Sequence, residues 1–194
     1  LIWGIHVDGR SSFKNIKDLK GTKAAISREG SGSHLMAYVN AEHVGWNTDS
    51  LKFEIVHNLE GAIEALRQDD AQYFMWEHFT TKPLVDNNTF RLIADCPTPW
   101  PCFVIAASHN AIDEKPDELL QMLDVLNTET SDFKIQKNID VELAKRYGQK
   151  LEDIRKWLDL THWSQQQIAN QDLIEVQDYL KRLKLISEKV DCKE

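Results

Sequence analysis

The sequence predicts an α/β fold with a mostly parallel sheet, followed by a region of helices. Strand-like and helix-like stretches alternate as far as about residue 108, which is the order typical of parallel sheets. Beyond that residue, apolar side chains recur at helical spacing. Pro97, Pro99 and Pro101 stand between the two regions and predict a crossing that no regular strand ladder continues.

Each predicted strand is a short apolar run, and each predicted helix carries an apolar stripe. The strands are expected over residues 1–7, 22–27, 51–57, 73–76, 90–94 and 103–107, and the first helices over residues 15–19, 33–43, 59–68 and 80–85. Further helices follow residue 108, and Gly148 separates two of them within residues 138–158.

Charge and hydropathy argue against two classes of partner. The 194 residues carry a net charge of -8, with an isoelectric point near 5.4 and no cluster of lysine or arginine. Nucleic acid and anionic membrane surfaces are therefore not expected as partners, because both attract positive charge. No apolar run reaches the roughly 18 residues that span a bilayer, so a membrane-spanning helix is not expected.

The three cysteines, Cys96, Cys102 and Cys192, provide no framework of disulfides or metal ligands. Their number is odd, and none has the paired short spacing of a zinc site, so we expect no metal. Cys102 lies in an apolar run and is predicted to be a small core residue. A disulfide between Cys96 and Cys102 is not favoured.

The segment from Ala25 to Ala37 carries the clearest functional pattern in the chain. A short apolar run ends in a turn rich in serine and glycine, and a helix begins directly after it. Glycine relieves the steric limits on the backbone, and Ser31 or Ser33 can cap the helix. The candidate ligand-binding residues of this turn are Ser27, Gly30, Ser31, Gly32, Ser33 and His34.

Such a helix start forms a small anion site. The exposed N–H groups, the positive end of the helix dipole and the serine hydroxyls would face a carboxylate, sulfonate or phosphate. The same pattern is equally compatible with serines that only cap the helix and satisfy a tight turn.

Two more segments hold candidates for the same site. The strand at Tyr73 to His78 ends with Trp76 and Glu77, at the carboxyl edge where ligands bind in open α/β folds. Trp100 stands between prolines, where its ring offers a rigid apolar wall to a ligand. Structural roles fit these residues too: Trp76 in the core, Glu77 as a helix cap and Trp100 as a plug at the hinge.

Three segments of the chain together resemble the solute-binding-protein family of the type II periplasmic fold. In order, they are SREGSGSHLMA, FMWEHFTTK and PTPWPCFVIAAS. Within that family the chain is similar to the branch of nitrate, sulfonate, taurine and thiamine-precursor binding proteins, especially an uncharacterised subgroup found in bacteria and fungi. The resemblance covers nearly the whole chain.

The resemblance implies two α/β lobes that close on a small ligand in a cleft. Residues 1–98 would form the ligand-binding lobe with its hinge strand, and residues 99–194 the hinge return and the helical part of the other lobe. Ser27 to His34 would supply the ligand-facing turn, Trp76 and Glu77 would lie at the cleft, and Trp100 would lie near the hinge.

The serine-rich helix start and the few aromatic residues of the candidate cleft predict a small anionic or zwitterionic ligand rather than a neutral sugar. Such a ligand would be a sulfonate, a carboxylate or a thiamine precursor, bound without a cofactor. The resemblance does not identify the ligand, but it implies a partner and a location. The permease of an ABC-type transporter would be the partner. The location would be the periplasm or cell envelope of a bacterium, or else the cytoplasm.

The start of the chain leads to a separate expectation. Leu1 opens directly into an apolar strand without a methionine or a polar leader, so we expect an N-terminal portion to be absent. The resemblance implies the same, since family members carry about half a lobe more sequence before this position. On that expectation the chain alone would bind ligand poorly and would dimerise through exposed strand edges or stay associated with the absent part.

An enzyme would be a different kind of function. Thiamine-pyrimidine synthases resemble these binding proteins, but they carry a cysteine-rich run of which this chain keeps only Cys102 and Phe103. His34, Glu77 and His78 are candidate acid-base or metal groups, yet neither an HExxH pattern nor a nucleophile elbow is present. We therefore expect ligand capture without catalysis. A cytoplasmic metabolite sensor and a helical protein-binding module are two further functions that fit parts of the chain.

Overall fold

Five strands form a sheet in the first part of the chain. The computed structural model describes residues 1–191, so Cys192 lies outside the described residues. The strands are β1 (Ile2–Asp8), β2 (Lys23–Ile26), β3 (Lys52–Ile55), β4 (Tyr73–Glu77) and β5 (Phe90–Pro97). Their order is β3-β2-β4-β1-β5, with β2 parallel to β3 and β4, and with β1 antiparallel to its neighbours β4 and β5. The predicted α/β fold is confirmed, with a mixed sheet in which two of the four strand pairs are parallel.

The helices coincide closely with the predicted apolar stripes. They are α1 (Gly32–His43), α2 (Leu59–Gln68), α3 (Lys82–Asp86), α4 (His109–Glu114), α5 (Pro116–Asp132), α6 (Ile139–Tyr147), α7 (Leu151–Leu160) and α8 (Asn170–Arg182). The helix predicted over residues 15–19 is a short 3₁₀ turn at Ile16–Leu19, where Asn15 and Asp18 form a capping box. Within residues 1–191, we find no helix with the length and apolar character needed to cross a membrane.

Residue contacts divide the chain into two units. The first is Leu1–Cys102 with the segment from Asn170 onward, and the second is Phe103–Ala169. In the first unit, side chains alternate along the strands, so each face of the sheet has its own core. One core packs on α1 and the other on α2; buried members are Ile5, Val7, Met36 and Met75 in the first and Ala62, Leu66, Phe74 and Phe90 in the second. The lobe boundary expected at residue 98 stays a prediction.

In the second unit, α6 and α7 pack against each other. Ile139, Leu143, Ile154 and Leu158 are buried in their shared core. Gly148 ends α6 in the left-handed conformation, with a φ of 62°. Two helices separated at Gly148 are therefore confirmed.

The strand predicted over residues 103–107 is wrong. Phe103 has a left-handed φ of 64°, and Phe103, Val104 and Ile105 are exposed. An apolar run forms a strand only beside a partner strand, and the described part of the second unit contains none. β5, in contrast, has a partner strand and is longer than predicted. Its pairing with Ile2 and Trp3 of β1 extends it past residue 94 to Pro97.

Candidate functional site

Three segments meet at one edge of the sheet. β2 and β4 are parallel, so the serine turn (Ser27–His34) that follows β2 and the end of β4 at Glu77 lie at the same carboxyl edge. β1 is antiparallel and begins there, with Trp3 opposite Glu77 in the strand register. Ligands of open α/β folds bind at this kind of edge.

Hydrogen bonds between serines shape the turn. Ser31 is the N-cap of α1, and its Oγ accepts from the backbone N–H of His34 at 3.3 Å. Ser33 Oγ accepts from the backbone N–H of Ser27 at 2.9 Å and lies 3.0 Å from Ser31 Oγ. Ser31 and Ser33 are both buried, so these bonds hold the turn in one conformation.

His34 fixes the turn from the helix side. Its Nδ1 accepts from the backbone N–H of Gly30 at 3.0 Å, and its ring packs edge-on against Phe53 with centroids 4.6 Å apart. Burial of the ring lowers the pKa of His34. The neutral ring therefore carries its proton on Nε2. This bond occupies the Gly30 N–H, one of the donors expected to face an anion.

Two donors remain at the start of α1. The amides of Gly32 and Ser33 occupy the first two helical positions, where an intrahelical acceptor is lacking. Within residues 1–191, neither amide donates to a protein acceptor. Gly32 is exposed, whereas Ser33 is buried. The helix dipole adds a partial positive charge at the same place.

Trp3, which no sequence pattern marked as a site residue, lies against this helix start. Its ring meets that of Trp76 edge to face, with centroids 6.2 Å apart and planes at 77°. A Cβ built on Gly32 would lie 2.6 Å from Cη2 of Trp3, so the ring approaches the helix backbone closely. Only the antiparallel direction of β1 brings Trp3 to this edge, and no local sequence pattern gave that direction.

Glu77 and His78 have partners within the protein. Glu77 Oε2 accepts from the backbone N–H of Thr80 at 2.6 Å and from its hydroxyl at 2.7 Å. His78 Nδ1 lies 2.7 Å from Asp95 Oδ1 and forms an ion pair with it when protonated. The contacts of Glu77 are therefore those of a residue that caps the segment after β4.

Trp100 contacts the last helix. Its ring packs edge-on against Tyr179 of α8, with centroids 4.9 Å apart, and against the core on α1. The Arg182 guanidinium lies 4.3 Å from the Tyr179 ring centroid. Trp100 therefore packs between α8 and the core on α1. The start of α1 and Trp76 are instead both in contact with Trp3.

The two cysteines within residues 1–191 lie in different surroundings. Residues 1–191 contain no group of three or more His, Cys, Asp or Glu side chains that could hold a metal ion. Cys96 and Cys102 are free thiols. Burial raises the pKa of Cys96 to about 11, and Cys96 is a core residue because β5 extends through it. Cys102 is only half-buried, so its predicted core position is wrong.

Comparison with known proteins identifies the architecture. Residues 3–96, just under half of the chain, match the model of the Ca3427-like PBP family. The Candida albicans CA3427 gene product, described as having the generic periplasmic binding protein fold, is 22% identical with a TM-score of 0.85. This chain has the periplasmic-binding-protein fold. The resemblance expected from the three sequence segments is confirmed.

Sulfonate-binding proteins share this periplasmic-binding-protein fold. The alkanesulfonate-binding protein SsuA of Xanthomonas axonopodis pv. citri, bound to MOPS, is 16% identical with a TM-score of 0.75. The aliphatic sulphonate binding protein SsuA of Escherichia coli is 18% identical with a TM-score of 0.66. Among curated proteins, none matches the chain.

The matched structures are longer than this chain. The three structures cover 97 to 98% of this chain, whereas the chain covers 65% of the Candida protein and 66% and 63% of the two SsuA proteins. It therefore spans a little under two thirds of the length of these periplasmic binding proteins. The family match includes the serine turn, Trp3, Trp76 and Glu77, and it ends before Trp100.

Proposed function

We propose that this chain belongs to a solute-binding protein that captures a small anionic or zwitterionic metabolite. The ligand would be a sulfonate, a carboxylate or a thiamine-precursor-like molecule. Its anionic group would lie at the carboxyl edge of the sheet, on the amides of Gly32 and Ser33. One observation carries the proposal: within residues 1–191, the amides of Gly32 and Ser33 have no protein acceptor, whereas the amides of Ser27, Gly30 and His34 each have one.

The rest of the turn supports such a site. Ser31 and Ser33 each carry one hydroxyl proton, and a single proton suffices for the bond between them. The second hydroxyl proton has an acceptor in Ser27 Oγ, which lies 3.5 Å from Ser33 Oγ, so the hydroxyls order the turn around the two amides. Ser27, Gly30 and His34 act indirectly in this proposal, because their mutual bonds hold the two amides in place. In this proposal Trp76 lines the site and Glu77 supports the following turn, while Trp100 stays a predicted site residue.

Structural neighbours support the ligand class. Both SsuA proteins are described as sulfonate-binding, and one of them is bound to MOPS, which carries a sulfonate on a short apolar chain. A sulfonate has three acceptor oxygens and no donor, which suits a site made of N–H and O–H donors. We extend this ligand class to the present chain as part of the proposal.

The proposed role is in transport. A solute-binding protein of this fold would deliver its ligand to an ABC-type permease, in the periplasm or the cell envelope. Capture without catalysis is favoured because the two SsuA neighbours are described as binding proteins.

A thermal-shift screen tests the proposal. The protein is heated with taurine, MOPS, acetate, inorganic phosphate, an aminopyrimidine thiamine precursor, and neutral sugars. We expect the melting temperature to rise with at least one anionic or zwitterionic compound, because a ligand that binds only the folded state stabilises it. Stabilisation by the sugars alone would contradict the proposal. Conversion of a stabilising compound to a product, followed by mass spectrometry, would instead support an enzyme.

A further inference from the structure

We propose that Trp3 and Trp76 form an apolar wall that selects ligands with an apolar tail attached to the anionic group. This inference rests on the proposed function and names the specificity of the same site. The two rings lie edge to face, 6.2 Å apart, at the edge of the sheet that the serine turn also reaches. Both are half-buried, so part of each ring is accessible.

The wall is built from both faces of the sheet. Trp3 packs against the core on α1, and Trp76 packs against the core on α2 and stacks on Phe74, with centroids 5.2 Å apart and planes at 20°. Each ring is thus held by a different core, which fixes its position before a ligand arrives. Rigid aromatic surfaces of this kind bind apolar groups at a low cost in conformational entropy.

Gly32 connects the wall to the polar donors. Its missing side chain lets the Trp3 ring lie directly on the residue that offers a free amide, since a Cβ would approach the ring to 2.6 Å. An anionic group on the Gly32 amide is therefore within reach of the ring for any tail of a few carbon atoms. A bare inorganic anion would leave this surface unused.

A series of alkanesulfonates tests the inference. Methanesulfonate, propanesulfonate and butanesulfonate are titrated into the protein by calorimetry. Each methylene that becomes buried against the rings should lower Kd about fourfold. In Trp3→Leu the gain per methylene should fall by half or more.

Trp46→Leu is the matched control. Trp46 is also a half-buried tryptophan packed against the core on α1, but it follows the other end of that helix. The tail dependence should persist in this variant. Gly32→Ala, which pushes the Trp3 ring away without removing it, gives a second check if Trp3→Leu fails to fold.

The outcomes separate the two proposals. Sulfonates that bind with affinity independent of tail length would overturn the wall and leave the anion site standing. A tail dependence that is equal in Trp3→Leu, Gly32→Ala and the wild type would also overturn the wall. Failure of every sulfonate, carboxylate and phosphate to bind would overturn the proposed function and the wall with it.

Discussion

Arg182 on α8 and Glu42 on α1 form a two-pronged ion pair. Nε of Arg182 lies 3.1 Å from Oε1 of Glu42, and Nη2 lies 3.0 Å from Oε2. The guanidinium also lies over the Tyr179 ring, which packs edge-on against Trp100. This cluster connects the last helix to the helix that begins at the serine turn. Burial, followed by the bond to Glu42, raises the pKa of Tyr179 to about 12.

Arg182→Gln should lower the free energy of unfolding by up to about 1 kcal/mol. The pair is partly exposed, which limits its contribution, while its two bonds and the aromatic contact place it at the upper end for surface pairs. Urea unfolding measures the change. Lys184→Gln is the control, because Lys184 and Asp49 form a single bond at 3.1 Å and are both largely exposed. Equal losses in the two variants would contradict a special role for Arg182.

His6 should make the protein sensitive to acid. Its ring is fully buried, Nδ1 lies 3.3 Å from the Phe74 carbonyl, and Nε2 lies 2.9 Å from Thr81 Oγ1. Burial lowers the pKa of His6 from 6.5 to about 4, so between these values the unfolded chain binds a proton that the folded protein does not. The stabilising contribution is complete above pH 6.5 and is lost as the pH falls toward 4, about 3 kcal/mol in total.

Urea unfolding at pH 7 and at pH 4.5 measures this loss. His6→Gln should show a clearly smaller drop in the free energy of unfolding between the two pH values than the wild type. His162→Gln, at an exposed position, should keep the wild-type drop. An unchanged drop in His6→Gln would show that other groups cause the acid sensitivity.

Replacing Ser31 and Ser33 with alanine should affect stability and binding separately. Loss of the N-cap costs about 0.5 to 2 kcal/mol of stability. Affinity for a sulfonate should fall further than this loss explains, because the turn no longer positions the Gly32 and Ser33 amides. Calorimetry gives the affinity and urea unfolding the stability.

Ser108→Ala is the matched control for the serine turn. Ser108 caps α4 through a bond from the backbone N–H of Ala111, at 3.2 Å, so the same substitution removes a cap elsewhere. Its affinity should remain that of the wild type. If the double variant is less stable but binds sulfonate with unchanged affinity, the serines are caps and nothing else.

The sequence predicted elements well where the pattern is local. The apolar stripe of α2 and the start of α1 at the serine turn depend on neighbouring residues, and both were located to within a residue. Local patterns do not predict whether an apolar run finds a partner strand. Residues 103–107 were predicted as a strand for this reason, although they form none. β5 was predicted too short for the same reason, since its end pairs with the beginning of β1.

The candidate site was predictable in part. The residue type and position of Ser31 predict that it caps α1. They do not predict the buried hydrogen bond from the Ser27 backbone N–H to Ser33 Oγ. Trp3 was not predicted as a site residue, because the direction of β1 depends on its pairing with β4 and β5. The place of Trp100 at the ligand stays a prediction, and its contact with Tyr179, 79 residues later in the chain, could not be inferred from any local pattern.

Gly148→Ala should destabilise the second unit by about 1 kcal/mol. Gly148 has a φ of 62°, a conformation that costs residues with a Cβ more than glycine. Thermal unfolding followed by circular dichroism measures the loss. Lys145→Ala, at an exposed position of α6, should change stability by less than about 0.5 kcal/mol. Equal stability of Gly148→Ala and the wild type would contradict the assignment of this residue as the C-cap.

An amide chemical-shift titration of ¹⁵N-labelled protein with taurine and with MOPS tests the central claim most directly. We expect saturable shifts that are largest for the amides of Gly32 and Ser33, because an anion on these donors changes their hydrogen bonding. The amides around Arg10 and Gln72, near the opposite ends of the strands, should stay unchanged. Saturable binding that leaves the Gly32 and Ser33 signals in place would contradict the claim that the start of α1 holds the ligand.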